Sequence, residues 1–243
     1  MAYNGLSSVY DRLMQDVDYD AWIDFIKQNV EISKDTLVLD AACGTGVISN
    51  KLSKCGAAVT GIDISEDMLG IASENARKDG LKVNYIAMDM CDIRSHKPVD
   101  IVTCVCDGVN YLCGLERVKA FFTSVFSVLK EGGRFIFDIS SEYKLTEIIG
   151  DNFFFEDYDD LTYFWQNSID KANGRVEMEL CFFIAYADKY ERFDESHVQY
   201  IYSSNDLLDL LKEVGFSNAI AYDCYSHMPI SATTERITFV VEK

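Results

Sequence analysis

The residues best placed to do chemistry form a glycine-rich turn near position 44. The apolar segment 37–40 is typical of a strand, and Gly44 and Gly46 follow it before a helical pattern that begins at Val47. At such a turn in a parallel α/β sheet, backbone N–H groups and a helix N-terminus face a ligand, which approaches closely because glycine has no Cβ. The turn therefore predicts a nucleotide-type cofactor.

An acidic residue further along the chain supports the same prediction. Asp63 ends the next strand-like segment, roughly 20 residues after Asp40, and a carboxylate in that place can accept hydrogen bonds from both ribose hydroxyls. A glycine pair alone is weak evidence. Strand, glycines, helix and acid in this order indicate a cofactor site much more strongly.

Two details of the turn separate the cofactor classes that use this arrangement. The dinucleotide fingerprint ends in Gly or Ala at the position where this chain has Ser49. Asp40, just before the turn, would repel a pyrophosphate, but it can lie near a cationic amino-acid group or order water around it. Both details favour S-adenosylmethionine, which carries an ammonium and a sulfonium, and leave a nicotinamide-dependent oxidoreductase as the alternative.

The motifs resemble those of the class I S-adenosylmethionine-dependent methyltransferases. The segment 40–46 reads D-A-A-C-G-T-G and matches their first motif, Asp63 matches the ribose-binding acid, and Asp89 with Met90 matches the loop that holds adenine. The segments VYDRL, DYDAW and ESHVQYIYS are similar to small-molecule members, the glycine and aminosugar N-methyltransferases. The resemblance implies methyl transfer from S-adenosylmethionine to N or O of a small molecule.

The resemblance also implies a set of cofactor contacts around the turn and the two strands that follow it. The cofactor-binding residues predicted in this way are Asp40, Ala41, Gly44, Gly46, Asp63, Ile64, Met68, Asp89 and Met90.

Further candidates lie in the N-terminal helices and after the fourth strand. Family members often cover the methionine carboxylate with N-terminal helices, so Tyr3, Tyr10 and Trp22 are expected to close the cofactor pocket, unless they are core aromatics. Asp107 and Tyr111 follow the fourth strand, and ligands of open α/β sheets bind at the carboxyl ends of strands, so both are also predicted to bind the cofactor. Tyr111 could equally cap the next helix.

His197 is the candidate catalytic residue. Orientation of the acceptor supplies much of the rate of methyl transfer, and a neutral amine needs only to lose its proton, whereas an alcohol or phenol benefits from a general base. His197 stands beside Glu195 before a strand-like segment. A structural role for this histidine remains the alternative.

Secondary-structure elements must position these residues. Residues 6–30 are predicted to form two amphipathic helices, and from residue 37 to 140 short apolar strands alternate with helices. This alternation predicts a doubly wound, mostly parallel, seven-stranded sheet of Rossmann-like α/β class. The last two strands are expected to form a hairpin at the sheet edge. Residues 1–243 are expected to form one methyltransferase domain.

Residues 151–202 break the alternation. They are rich in Phe and Tyr, and Asn173-Gly174 is a strong hairpin signal between two strand-like segments. We predict an inserted antiparallel β-sheet, which would act as a lid over the substrate or as a dimer contact. The chain is accordingly expected to be a monomer or a homodimer.

Composition limits the partners. The chain has 22 basic and 40 acidic residues, and the resulting net charge of −18 disfavours nucleic acid, including tRNA; a protein acceptor stays possible. The 8 cysteines and 3 histidines show no paired spacing, so no metal site is expected. Without a signal-like start or a membrane-length apolar stretch, a cytoplasmic protein is expected. A non-catalytic module that binds S-adenosylmethionine is a further alternative.

Overall fold

Two helices precede the main sheet. The computed structural model describes residues 7–243, with side chains from Val9 onward. Helix α1 spans Ser7–Leu13 and α2 spans Tyr19–Asn29. Helix α2 begins after Asp18, whose carboxylate accepts a hydrogen bond from the Ala21 amide and so satisfies one of the free amides of the first turn. The two helices predicted for residues 6–30 are confirmed.

A parallel sheet follows. Its strands are β1 (Leu37–Ala41), β2 (Ala58–Asp63), β3 (Asn84–Ala87), β4 (Val99–Cys104) and β5 (Leu129–Ser140). The crossover helices are α3 (Val47–Lys54), α4 (Glu66–Lys78) and α5 (Gly114–Val128). Four inserted strands, helix α6 and two final strands follow β5, as described below.

An antiparallel sheet is inserted between β5 and the last helix. Strands β6 (Phe153–Asp157), β7 (Leu161–Asp170), β8 (Arg175–Tyr186) and β9 (Lys189–Tyr200) pair in chain order, each antiparallel to the next. The predicted insertion is confirmed. We call β6–β9 the inserted sheet.

The chain then returns to the main sheet through α6 (Ser204–Val214), β10 (Asn218–Asp223) and β11 (Arg236–Glu242). The strand order is β10-β11-β5-β4-β1-β2-β3, and β11 is antiparallel to both of its neighbours. The predicted seven-stranded doubly wound sheet and its edge hairpin are therefore confirmed. The order reverses between β1 and β4, which places the ligand crevice at the carboxyl ends of these strands.

Both faces of the main sheet are covered by apolar side chains. Phe121 and Phe122 of α5 pack against Phe135 and Phe137 of β5 on one face, and Phe25 of α2 lies in the core on the other face. The inserted sheet has its own smaller clusters against α1 and against the π-helical turn Lys144–Ile149. Within residues 7–243, no helix is long and apolar enough to cross a membrane.

Candidate active site

A cavity of about 820 Å³ lies at the crevice predicted by the strand order. This volume is in the upper part of the range of small-molecule sites. Ten of the predicted site residues line it: Tyr10, Asp40, Gly44, Asp63, Ile64, Met68, Asp89, Met90, Asp107 and Tyr111. The fold thus brings together residues that are spread over about a hundred positions of the chain.

Asp63 ties the second strand to the glycine turn. Its Oδ2 accepts a hydrogen bond from the Gly44 amide at 2.9 Å, and its Oδ1 accepts one from the Ser65 amide at 2.9 Å. Burial raises the pKa of this carboxyl, and the two amides oppose the shift. Each carboxylate oxygen keeps one further acceptor site, which is what a pair of ribose hydroxyls requires.

Asp40 forms the floor of the cavity and is only 1% exposed. Its Oδ2 accepts a hydrogen bond from the Ser49 hydroxyl at 2.5 Å and its Oδ1 accepts one from the Thr103 hydroxyl at 2.7 Å. Burial raises the pKa of Asp40 to about 6, although both hydroxyls favour the ionised form. Ser49, a departure from the dinucleotide fingerprint, is thus one of the two residues that hold this carboxylate.

The glycine turn has two glycines with different functions. Both have positive φ, +53° at Gly44 and +79° at Gly46. A Cβ on Gly44 would meet no protein atom within 4 Å, whereas one on Gly46 would overlap the Tyr85 hydroxyl and lie 2.9 Å from Ala72. Gly44 is therefore open toward the cavity, and Gly46 allows β3 and α4 to pack closely against the turn.

Three of the predicted cofactor-binding residues among those described do not line the cavity. The side chain of Ala41 is buried in the main core, and Gly46 packs as described above. Trp22 stacks on Tyr225 with ring centroids 4.4 Å apart, in the core beneath α2. Trp22 is therefore a core aromatic, which was the alternative given for this residue. Tyr3 lies outside the described residues.

A salt bridge closes the cavity near the predicted adenine loop. Arg117 Nη2 donates to Asp89 Oδ2 at 2.8 Å, and the Asp89 side chain also caps the turn Met90–Asp92 through the Cys91 amide. Burial works against ionisation of Asp89, but Arg117 outweighs it and lowers the pKa of that carboxyl. The cavity wall at this end therefore carries a fixed anion beside apolar Met90.

A buried charge network forms the other end of the cavity. Cys106 and Asp107 both adopt left-handed backbone conformations, φ 63° and 55°. The Asp107 amide donates to Asp138 Oδ1 at 2.6 Å, and Arg236 donates both to Asp138 and to Asp107 Oδ1, at 2.6 and 2.8 Å. Because these charges satisfy one another, two unfavourable backbone conformations are held in place.

The same network reaches the inserted sheet. Gln199 Nε2 of β9 donates to Asp107 Oδ2 at 2.6 Å. Burial alone would raise the pKa of Asp107, but Arg236, Lys144 and Gln199 together outweigh that effect and lower the pKa. Asp107 is therefore ionised at neutral pH, and its charge links the end of β4 to the inserted sheet.

His197 lies two residues before Gln199, on the same face of β9. It is buried, and its ring meets the edge of Tyr111 with centroids 6.0 Å apart. His197 is not among the residues lining the cavity, although Tyr111 is. Burial lowers the pKa of His197 against the opposing effect of Glu195 and Glu179, which favours the neutral imidazole.

Sequence reasoning missed several cavity residues. Tyr19, Thr45, Cys106 and Arg117 line the cavity, and Arg236 and Gln199 support it from outside. Thr45 stands inside the recognised motif and could have been selected from it. Arg236 carries no local signal, because its partner Asp107 is 129 positions away. Among residues 7–243, no group of three or more His, Cys, Asp or Glu side chains could hold a metal ion.

Comparisons with known proteins decide between the cofactor classes. Residues 38–133 match the methyltransferase domain family. A protein of Geobacillus sp. (strain WCH70) that is assigned as a methyltransferase is 35% identical over the full length of both chains. The crystal structure of an S-adenosylmethionine-dependent methyltransferase from Clostridium acetobutylicum ATCC 824 has a TM-score of 0.89 and 36% identity, covering 99% of this chain and 98% of that one.

The chain belongs to the class I S-adenosylmethionine-dependent methyltransferases. Its cofactor is S-adenosylmethionine, and the nicotinamide alternative falls away. The sugar N-methyltransferase KedS8 from Streptoalloteichus sp. ATCC 53650 shares the fold, with a TM-score of 0.76 and 17% identity over 97% of this chain and 92% of that one. The resemblance inferred from the motifs is confirmed.

Substitution of the two glycines is expected to separate binding from folding in this methyltransferase. Gly44→Ala costs about 1–2 kcal/mol of backbone strain, since only the positive φ opposes it. The added Cβ enters the cavity, however, and should weaken adenosylhomocysteine binding by roughly tenfold or more. Gly46→Ala adds overlap with Tyr85 and lowers the free energy of unfolding by about 3 kcal/mol. Urea unfolding and calorimetric titration measure both effects; unchanged affinity in Gly44→Ala would refute the orientation of Gly44.

The buried carboxylate at the cavity floor predicts a pH dependence. Because the pKa of Asp40 is raised to about 6, the carboxyl is mostly protonated at pH 5 and ionised at pH 7. Affinity for cationic S-adenosylmethionine should therefore rise on the order of tenfold over that interval and level off above it. Asp40→Asn should remove the rise in a calorimetric pH series. A rise that persists in this variant would assign the titration to another group.

Proposed function

We propose that this methyltransferase acts on a small molecule, transferring the methyl group to a nitrogen or an oxygen. The observation that carries the proposal is the position of the cavity: Tyr10 of α1 lines one side, and Asp107, which lines another, accepts a hydrogen bond from Gln199 of the inserted sheet. A cavity bordered by a helix and adjoining a sheet suits an acceptor that can be taken up whole. Its volume leaves room for an acceptor beside the cofactor.

Electrostatics favours the same class of acceptor. The cavity lining contains the carboxylates of Asp40, Asp63 and Asp107, while the cation Arg117 is paired with Asp89. With a net charge of −18, the whole chain also repels polyanions, so we infer that nucleic acid is not a partner. We further propose a cytoplasmic location and a monomer or homodimer, with the inserted sheet as lid or dimer contact.

The chain's residues would bind and orient both reactants. When bound, S-adenosylmethionine supplies a methyl group already activated by its sulfonium. Asp63, oriented by the Gly44 amide, would accept hydrogen bonds from the ribose hydroxyls, and Asp89 would hold the adenine. Tyr111 and Asp107 then form the wall against which an acceptor lies, so that its lone pair can be held in line with the methyl group, which supplies rate through orientation.

His197 is proposed as the general base for an acceptor that must lose a proton. Its neutral imidazole lies behind Tyr111, one side chain away from the cavity. The proton would reach it through a bridging group or after a small movement of the acceptor wall. A neutral amine acceptor would not require this step.

Incubation with S-adenosylmethionine and a panel of small amines, phenols, alcohols and carboxylic acids tests the proposed acceptor class. Adenosylhomocysteine release and a mass gain of one methyl group on a panel member support it. Methylation of RNA or of a protein, with no turnover of any small molecule, would contradict it.

The histidine has its own expected outcome. His197→Gln should reduce turnover of a hydroxyl acceptor by about 100-fold or more, the usual contribution of a general base, with little change in adenosylhomocysteine affinity. Turnover of a neutral amine should change far less. His96→Gln, at an exposed position, is the matched control. Equal turnover of hydroxyl acceptors by both variants would leave His197 a structural residue.

A further inference from the structure

Helix α1 is attached to the glycine turn through one carboxylate. Asp11 Oδ1 accepts a hydrogen bond from the Thr45 hydroxyl at 2.5 Å, and Asp11 Oδ2 accepts one from Asn75 Nδ2 of α4 at 3.2 Å. Asn75 Nδ2 also lies 3.5 Å from the Thr45 carbonyl oxygen. Thr45 lies between the two glycines and lines the cavity. The side chain of Asp11 is therefore bonded to the part of the turn that faces the cofactor.

The next residue attaches α1 to the inserted sheet. Arg12 Nη2 lies 2.6 Å from Asp160 Oδ1, in the connection between β6 and β7, and its guanidinium stands 5.1 Å from the centre of the Tyr158 ring. Val9 packs with Leu161 and Phe182 of the same sheet. Consecutive side chains of one short helix thus contact the glycine turn and the inserted sheet.

The length of α1 makes these contacts necessary. It has seven residues, and an isolated helix of that length is unstable in water. Its position therefore depends on Asp11, Arg12 and the apolar contact of Val9. Tyr10 points from the same helix into the cavity, with its hydroxyl 3.6 Å from Cys106 Sγ. A cofactor that fills the cavity touches Thr45 and Tyr10 and so stabilises the whole helix.

We propose that Asp11 and Arg12 are positioning residues for methyl transfer: Asp11 acts through Thr45 to fix the cofactor turn, and Arg12 acts through Asp160 to hold the inserted sheet against α1, beside the cavity. Cofactor binding and placement of the inserted sheet are coupled through α1 as a result. The proposal rests on cofactor use alone and not on the identity of the acceptor, so the two can fail separately.

Backbone amides report on this coupling directly. The Tyr158 amide donates to the Leu161 carbonyl, and the Ala185 amide donates to the Asp160 carbonyl, both at 2.8 Å. Hydrogen exchange of these two amides measures how firmly the connection between β6 and β7 is held. Adenosylhomocysteine, used as the probe, should slow their exchange in the unaltered chain. Neither Tyr158 nor Ala185 lines the cavity, so the effect would be relayed, either through α1 or through the Asp107–Gln199 hydrogen bond, and the Asp11 and Arg12 variants distinguish the two routes.

Asp11→Asn is the main variant, and Asp16→Asn is its matched control, because Asp16 is exposed on the segment after α1. Asp11→Asn should speed adenosylhomocysteine dissociation about five- to tenfold, at the lower end of typical coupling effects, and abolish the protection of the two amides. Asp16→Asn should do neither. If the probe leaves both amides unprotected in the unaltered chain, or if the two variants behave alike, the coupling does not exist.

A double-mutant cycle separates positioning from general loosening. Thr45→Val removes the hydroxyl that bonds to Asp11, whereas Thr45→Ser keeps it. If Asp11 acts through Thr45, adenosylhomocysteine dissociates from the double variant Thr45→Val/Asp11→Asn no faster than from either single variant. Thr45→Ser, which keeps the hydroxyl, should keep the slow dissociation of the unaltered chain. Additive effects of the two substitutions would overturn the proposed route.

A charge exchange tests the second contact. Arg12→Asp should abolish protection of the Tyr158 and Ala185 amides, and combining it with Asp160→Arg should restore protection by re-forming the ion pair in the opposite sense. Circular dichroism would check that each variant is folded. Failure of the exchange to restore protection, with both proteins folded, would remove Arg12 from the proposal.

Discussion

The carboxylate of Asp40 is held by two hydroxyls beneath the turn between β1 and α3, and the shape of the cavity depends on that arrangement. Ser49 comes from α3 and Thr103 from β4, so one buried anion joins three elements at the point where the strand order reverses. An unpartnered anion at this depth would be strongly unfavourable. The two hydroxyls compensate the buried charge, and we propose that the cationic cofactor gives it a function.

A second buried group of charges fixes the end of β4 at the other end of the cavity. Arg236 comes from β11, Asp138 from β5 and Asp107 from the end of β4, and Gln199 extends the network to β9. Removing one partner would leave a buried charge without compensation, which usually costs several kcal/mol, about 3–5. This end of the cavity is therefore fixed by the main sheet and not by the inserted sheet alone.

The sequence sufficed for features that are encoded locally. The turn at Gly44 and Gly46, the acid at Asp63 and the hairpin at Asn173-Gly174 each occupy a few neighbouring residues, and the structure places them where the patterns predicted. Pairings such as Arg236 with Asp107, or Asp11 with Thr45, depend on how distant elements pack, and no local pattern encodes them. Trp22 shows the same limit of sequence analysis, because an aromatic residue on a helix has the same sequence pattern whether it faces the core or a ligand.

A crystal structure of the protein with adenosylhomocysteine tests the central claim most directly. The account predicts both ribose hydroxyls within about 3 Å of the Asp63 carboxylate oxygens, with the sugar resting over Gly44. A ligand bound elsewhere, or a ribose turned away from Asp63 while that carboxylate keeps only its Gly44 and Ser65 amide bonds, would contradict it.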